Sequence, residues 1–113
     1  MTDLINWRTD LASAREEAKT ANKPLLLEIY LDTCSHCARL HKETHQDPEV
    51  AAAVNEGFIP VRLEGRGNMD IVRQYGVTGA PTTLIFTPDG QEKHRFMGFY
   101  TAAEFRQELA KGA

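Results

Sequence analysis

A chain of 113 residues, 42% of them apolar, suffices for a single domain over residues 1–113 built around one core. Its formal charge of −3 and pI near 5.8 argue against nucleic acid, which calls for a clustered basic face, and its longest apolar runs fall far short of a membrane span. Met1 to Trp7 shows no basic region followed by a long apolar segment, so the cytoplasm is the expected compartment, or the periplasm had a leader been trimmed away.

In chain order, Thr9 or its neighbour caps a helix running to about Thr20, with Leu11, Ala14 and Ala18 at helical spacing. Asn22-Lys23-Pro24 stops it. Leu25 to Leu31 is short and apolar and reads as a buried strand. Ala38 to Glu43 has no breaker and reads as a helix. Asp47-Pro48 opens another helix, a capping Asp with Pro at the first helical position, which ends at Gly57. Phe58 to Glu64 is the second strand, and Gly65-Arg66-Gly67 a loop. Asn68 is placed to cap a short helix over Met69 to Tyr75 that ends at Gly76. Gly79-Ala80-Pro81 precedes a third strand, Thr82 to Thr87. Pro88-Asp89-Gly90 turns the chain into a fourth over Lys93 to Met97. Thr101-Ala102-Ala103-Glu104 is a capping box that opens a final helix. Strands joined through helices run parallel, whereas the last two form an antiparallel hairpin. The fold class is therefore α/β, a four-stranded mixed sheet with helices on both faces. Trp7, Phe58, Phe86, Phe96 and Phe105 are read as core.

The two cysteines of the chain sit in Thr33-Cys34-Ser35-His36-Cys37, where the first strand ends and a helix begins. This is the strand end at which α/β sheets place their sites. A helix start offers unpaired N–H groups and partial positive charge, both of which favour a thiolate. Cys34 is expected to be exposed there, with Cys37 one turn in and partly covered. Such a pair attacks a disulfide with one sulfur and releases the product with the other; the plainer alternative is two small buried apolar residues. Asp32 on the same loop opposes thiolate formation. Glu28 lies within an apolar strand, where an acid must be neutral or paired unless strand alternation turns it outward. Tyr30 is placed to flank the site. Cys37, His41 and His45 follow at four-residue steps, which raises a zinc alternative using Cys34, Cys37 and His41 with His36 or water. Eight residues of α-helix swing the face by about 80°, so His45 is expected on the solvent side and His41 half-buried near Glu28.

Together with Gly79-Ala80-Pro81 before a strand, the cysteine motif resembles the thioredoxin superfamily over nearly the whole chain. It is most similar to the thioredoxin-like domains related to the C-terminal domain of the bacterial interchange protein DsbD, on Lys23-Pro24, Tyr30-Leu31-Asp32, Asp47-Pro48-Glu49-Val50, Gly90-Gln91-Glu92 and Gly98-Phe99. The resemblance implies a thioredoxin-like fold, Cys34 as nucleophile, Cys37 as resolving thiol, and Glu28 as the buried acid that exchanges a proton with Cys37. A raised Glu28 pKa suits that role; an ion pair with Arg62, which matches a thioredoxin lysine, would instead hold Glu28 ionised. The resemblance also implies a cis bond before Pro81, facing the cysteines, and an exposed Ala80 backbone that pairs with a substrate peptide. Thr33 replaces the usual Trp, Ser35-His36 replaces the usual Gly-Pro, and thioredoxin's N-terminal strand is not evident. These three departures bear on substrate choice and redox poise. A histidine before the second cysteine resembles an oxidising member of the superfamily and favours the thiolate. The implied activity is thiol–disulfide oxidoreduction on protein disulfides or dithiols with an upstream electron donor or acceptor. It needs no metal and no cofactor beyond the Cys34–Cys37 disulfide, and a monomer is expected. The alternatives are a redox-inactive peptide-binding module and the small zinc protein.

Overall fold

The computed structural model describes residues 3–113; Met1 and Thr2, the start of the segment read for a leader, lie outside them. The elements are α1 (Leu11–Ala21), β1 (Leu25–Tyr30), α2 (Ser35–Arg39), continued by a π-helical turn (Leu40–Thr44), α3 (Pro48–Gly57), β2 (Ile59–Glu64), a 3₁₀ turn (Arg66–Asn68), α4 (Met69–Gln74), β3 (Thr82–Phe86), β4 (Glu92–Met97) and α5 (Ala102–Gly112). Among the described residues, no helix is long and apolar enough to cross a membrane.

Local chemistry sets most of the boundaries. The Asp10 carboxylate accepts the Ser13 amide at 2.9 Å and starts α1. Asn22 ends it in the left-handed region (φ 55°), donating its N–H to Ala18 and Lys19, the role short polar residues tolerate best. Asp47 accepts from the Glu49 and Val50 amides with Pro48 behind it. The capping box of α5 is closed on both sides, Thr101 N to Glu104 Oε1 at 3.0 Å and Glu104 N to Thr101 Oγ1 at 3.2 Å. Asn68 departs from expectation. Its side chain makes no cap and instead donates to the Glu64 carbonyl at 2.8 Å, because the 3₁₀ turn brings that carbonyl within reach.

The sheet order is β2-β1-β3-β4, with β1 parallel to β2 and antiparallel to β3, and β3 antiparallel to β4. At the outer edge of β2, Arg8 forms an isolated parallel bridge to Val61, with Arg8 N donating to Pro60 O at 2.8 Å and Arg62 N to Arg8 O at 3.0 Å. Among the described residues, the segment before α1 thus adds a single bridge to this edge of the sheet. Pro60 is tolerated because its nitrogen faces this edge rather than β1.

β1 is central and covered on both sides. Leu25, Leu27 and Ile29 pack with Ala14 and Ala18 of α1, Leu84, Phe86 and the α4 residues Ile71 and Val72. Leu26 faces the opposite layer, with Leu40, Val50, Val54, Ile85, Phe105 and Leu109. Phe58, Phe86, Phe96 and Phe105 are all buried, and Trp7 packs against the second layer. Period-two alternation puts Glu28 on the same face as Leu26. No outward face remains for it.

Candidate active site

β1 ends at Tyr30, and four residues later Cys34 caps α2. Its extended backbone lets Sγ accept the Cys37 amide at 3.1 Å. Cys34 is half-buried and its thiol reaches the Ala80 carbonyl at 3.5 Å; Cys37 is 1% exposed. The Ala80–Pro81 peptide is cis, and the two cysteines are unbonded. The loop between is held from outside: Gly65 N donates to Tyr30 O at 2.8 Å, Asp32 N to Glu64 Oε2 at 3.4 Å, and Arg66 Nη2 to Thr33 Oγ1 at 3.2 Å. Gly65 packs tightly here: a Cβ would lie 3.2 Å from Leu31 Cδ2 and 3.3 Å from Ile29 Cγ2, so those side chains would have to shift slightly to admit one. Ser35 and His36 are exposed beside Cys34.

A cleft of about 230 Å³ opens over the pair, lined by Tyr30, Leu31, Cys34, Cys37, His41 and Arg62 among others. A larger depression of about 400 Å³ lies between α1 and α4 and contains no cysteine, so size does not locate the chemistry. Burial pushes the Cys37 thiol up to about 12, helped by the hydrogen bond to Cys34 and by the negative charge of Cys34 and Glu28.

Beneath the cleft Glu28 is completely buried and doubly paired: Oε2 with Arg62 Nε at 2.8 Å and Oε1 with His45 Nε2 at 2.8 Å. Arg62 is in register with Glu28 on the parallel neighbour and lies 3.7 Å over the Tyr30 ring. Burial alone would raise the Glu28 pKa, but His45 and Arg62 together outweigh it and hold the carboxyl below its usual range. The expectation of a raised Glu28 pKa is therefore corrected, and the ion-pair alternative is the one found. The His45–Glu28 contact is short but off-line. Neither Oε1 nor Nε2 has an aligned hydrogen bond, so His45 is held beside Glu28 by the packing of Trp7 and Phe105 around its ring.

His45 is also a correction, being 0% exposed rather than on the solvent side. The reason is the π-helical turn, in which His45 N bonds back five residues to Leu40 O at 3.0 Å. The wider turn advances each residue by less than the α-helical step, which cancels the drift that would carry His45 away from Cys37. His41 lies one step further out than expected. It is half-buried and bonded through Nδ1 to His45 Nδ1 at 3.0 Å and through Nε2 to Asp3 Oδ1 at 2.9 Å. Burial, with Arg62 and His45 nearby, keeps its pKa low against the pull of Asp3. Both His41 nitrogens are in hydrogen bonds, and among the described residues no group of three His, Cys, Asp or Glu is arranged for a metal ion. Sequence reasoning missed the His45–Glu28 contact, the Arg66 anchor and Asp3. Only the histidine spacing at 37, 41 and 45 offered a signal for the first.

Known proteins are similar to this chain in sequence and in fold. A family model described as thioredoxin-like domain matches residues 11–113. The thiol:disulfide interchange protein DsbD of Colwellia psychrerythraea is 33% identical over 86% of this chain, and protein disulfide-isomerase A3 of Gallus gallus 35% over 92%. The chain spans only 17% and 20% of those relatives' lengths. Among solved structures, the oxidised DsbD C-terminal domain of Neisseria meningitidis aligns with a TM-score of 0.76 and 26% identity, covering 95% of this chain and 99% of that one. A Thermus thermophilus thioredoxin aligns with a TM-score of 0.85 at 21% identity, covering 95% and 85%, a likeness of fold. With its sheet order, its cysteine loop and its match over residues 11–113 in agreement, this chain belongs to the thioredoxin-like domain family.

Proposed function

We propose that the protein is a thiol–disulfide oxidoreductase acting on protein disulfides through Cys34 and Cys37. One observation carries this reading: a half-exposed sulfur at a helix start, receiving the amide of a second, buried cysteine one turn later. Cys34 attacks a substrate sulfur, the substrate's other sulfur leaves with the electron pair, and a mixed disulfide forms. Cys37 then gives up its proton, bonds to Cys34 and expels the product thiolate, so two electrons pass to the substrate. Cys37 suits the second step. The Cys34 hydrogen bond and charge that help keep it protonated vanish once Cys34 is in the mixed disulfide. Glu28 is the nearby carboxylate assigned to receive that proton, and the Ala80 backbone beside Pro81 the edge that pairs with the peptide. Ser35, His36 and Thr33 tune the pair, with exposed His36 favouring the thiolate. The cysteine pair carries the electrons, so no cofactor is required. Reduction of insulin by the protein with dithiothreitol, against a Cys34→Ser control, tests the reading. Catalysed precipitation lost in the variant supports it, and equal rates reject it in favour of a redox-inactive binding module.

A further inference from the structure

Three close contacts, the outer two of them hydrogen bonds, run from the buried acid to the surface: Glu28 Oε1 to His45 Nε2 at 2.8 Å, His45 Nδ1 to His41 Nδ1 at 3.0 Å, and His41 Nε2 to Asp3 Oδ1 at 2.9 Å. Asp3 is exposed. Each of these contacts needs one hydrogen between its two heavy atoms, three in all. Two neutral imidazoles bring two. With both carboxylates ionised the line is therefore one proton short, and the contact without an aligned hydrogen bond is the innermost, at Glu28. A third proton completes the line, whether it sits on Glu28, His45, His41 or Asp3.

Resting on the oxidoreductase reading, we propose that His45 and His41 are positioning residues of a proton relay that carries the Cys37 proton from Glu28 to solvent at Asp3. The Cys37 S–H bond breaks as its sulfur pair forms the Cys34–Cys37 bond, and the proton goes to Glu28. The product thiolate leaves with the electron pair of the broken mixed disulfide. Glu28 passes the proton to His45 Nε2, His45 Nδ1–H passes one to His41 Nδ1, and His41 Nε2–H passes one to Asp3 or water. The direction reverses when the protein is reduced.

Charge around the line favours onward movement. Glu28 faces Arg62 from β2, Cys37 from α2 and His45 below, and the fixed charge of Arg62 at 2.8 Å makes it a poor resting place for a proton. Imidazole ordinarily exchanges protons near neutrality. The rings of Trp7, at 5.0 Å, and Phe105, at 5.8 Å between centroids, wall His45 from water, so its proton has the His41 edge as its exit. His41 faces Arg62, His45 and Asp3, and Gln46 Nε2 steadies its outer end by donating to Asp3 Oδ1 at 3.3 Å and to His41 O at 3.2 Å.

The test compares wild type, His41→Gln and His41→Ala in stopped-flow single turnovers of reduced protein with a disulfide-linked reporter peptide. Gln keeps hydrogen bonds to both neighbours yet cannot pass a proton. The relay predicts that both variants form the mixed disulfide at the wild-type rate but resolve it roughly tenfold or more slowly. Because His41 lines the cleft, added imidazole should restore His41→Ala. Wild-type resolution by His41→Gln, or slowing in His41→Ala that imidazole does not relieve, overturns the relay and leaves a structural histidine. Failure of wild type to turn over would instead sink the oxidoreductase reading. The relay is then judged by nitrogen NMR of the histidine rings, where one shared titration of His41 and His45 supports it and two independent titrations overturn it.

Discussion

Replacing Glu28 by Gln keeps the side chain's shape and removes one charge from a site that holds two partners for it. Glu28 and His45 are fully buried, and Arg62 is 16% exposed at its side chain. Removing one member of a buried ion pair costs about 3–5 kcal/mol, because the remaining charge is left without compensation. Here Arg62 keeps the Tyr30 face at 3.7 Å and an amide oxygen to donate to, which places the loss near the low end, about 3 kcal/mol. For a domain of this size that lowers Tm by about 10–15 °C. The pH dependence follows from the direction of the shift. The folded Glu28 pKa is depressed, so its contribution is complete above the unfolded carboxylate value of about 4.3 and is lost as pH falls through the lower folded value. Thermal unfolding followed by circular dichroism from pH 7 to pH 3 should show a wide gap between wild type and Glu28→Gln at neutrality that narrows progressively below about pH 4. A gap under about 3 °C at pH 7, or one that persists unchanged at pH 3, refutes the ionised pair.

Other consequences are open to measurement. Cys37 has its folded pKa raised from 9.0 to about 12, so the reduced protein should lose stability as pH rises from 9 towards 12, and Cys37→Ser should lose less over the same range; thermal scans of both decide it, equal losses refuting the shift. Equilibration with glutathione should give a potential between about −270 and −120 mV, and His36→Pro should move it towards the lower value; a wild-type potential at or below about −270 mV rejects the tuning role. Thr101→Ala opens the capping box of α5 and should cost about 1 kcal/mol in urea unfolding, with no change in insulin reduction.

Most of the scaffold was legible because the signals are local. Pro24 and the apolar run behind it mark β1, Asp47-Pro48 starts α3, and the Thr101–Glu104 pair starts α5, each through a mechanism acting within four residues. The cysteine loop was legible for the same reason, and the match of Arg62 to a thioredoxin lysine made the Glu28–Arg62 pair readable as one of two alternatives. What escaped depends on distant chain segments. The position of His45 turns on whether the backbone bonds back four residues or five, a choice that no residue type between Leu40 and Thr44 announces. Arg66 reaches Thr33 because β2 lies parallel to β1, and Asp3 reaches His41 across 38 positions of sequence. Asn68 had the right residue type for a cap, yet the Glu64 carbonyl competed for its side chain and won.

The central claim is that Cys34 attacks first and Cys37 resolves, and trapping the intermediate tests it most directly. Incubated with an oxidised peptide substrate, Cys37→Ser should accumulate a mixed disulfide through Cys34, seen by mass spectrometry under non-reducing conditions, and Cys34→Ser should accumulate none. No adduct in the first variant, or an adduct on Cys37 in the second, would contradict the assignment.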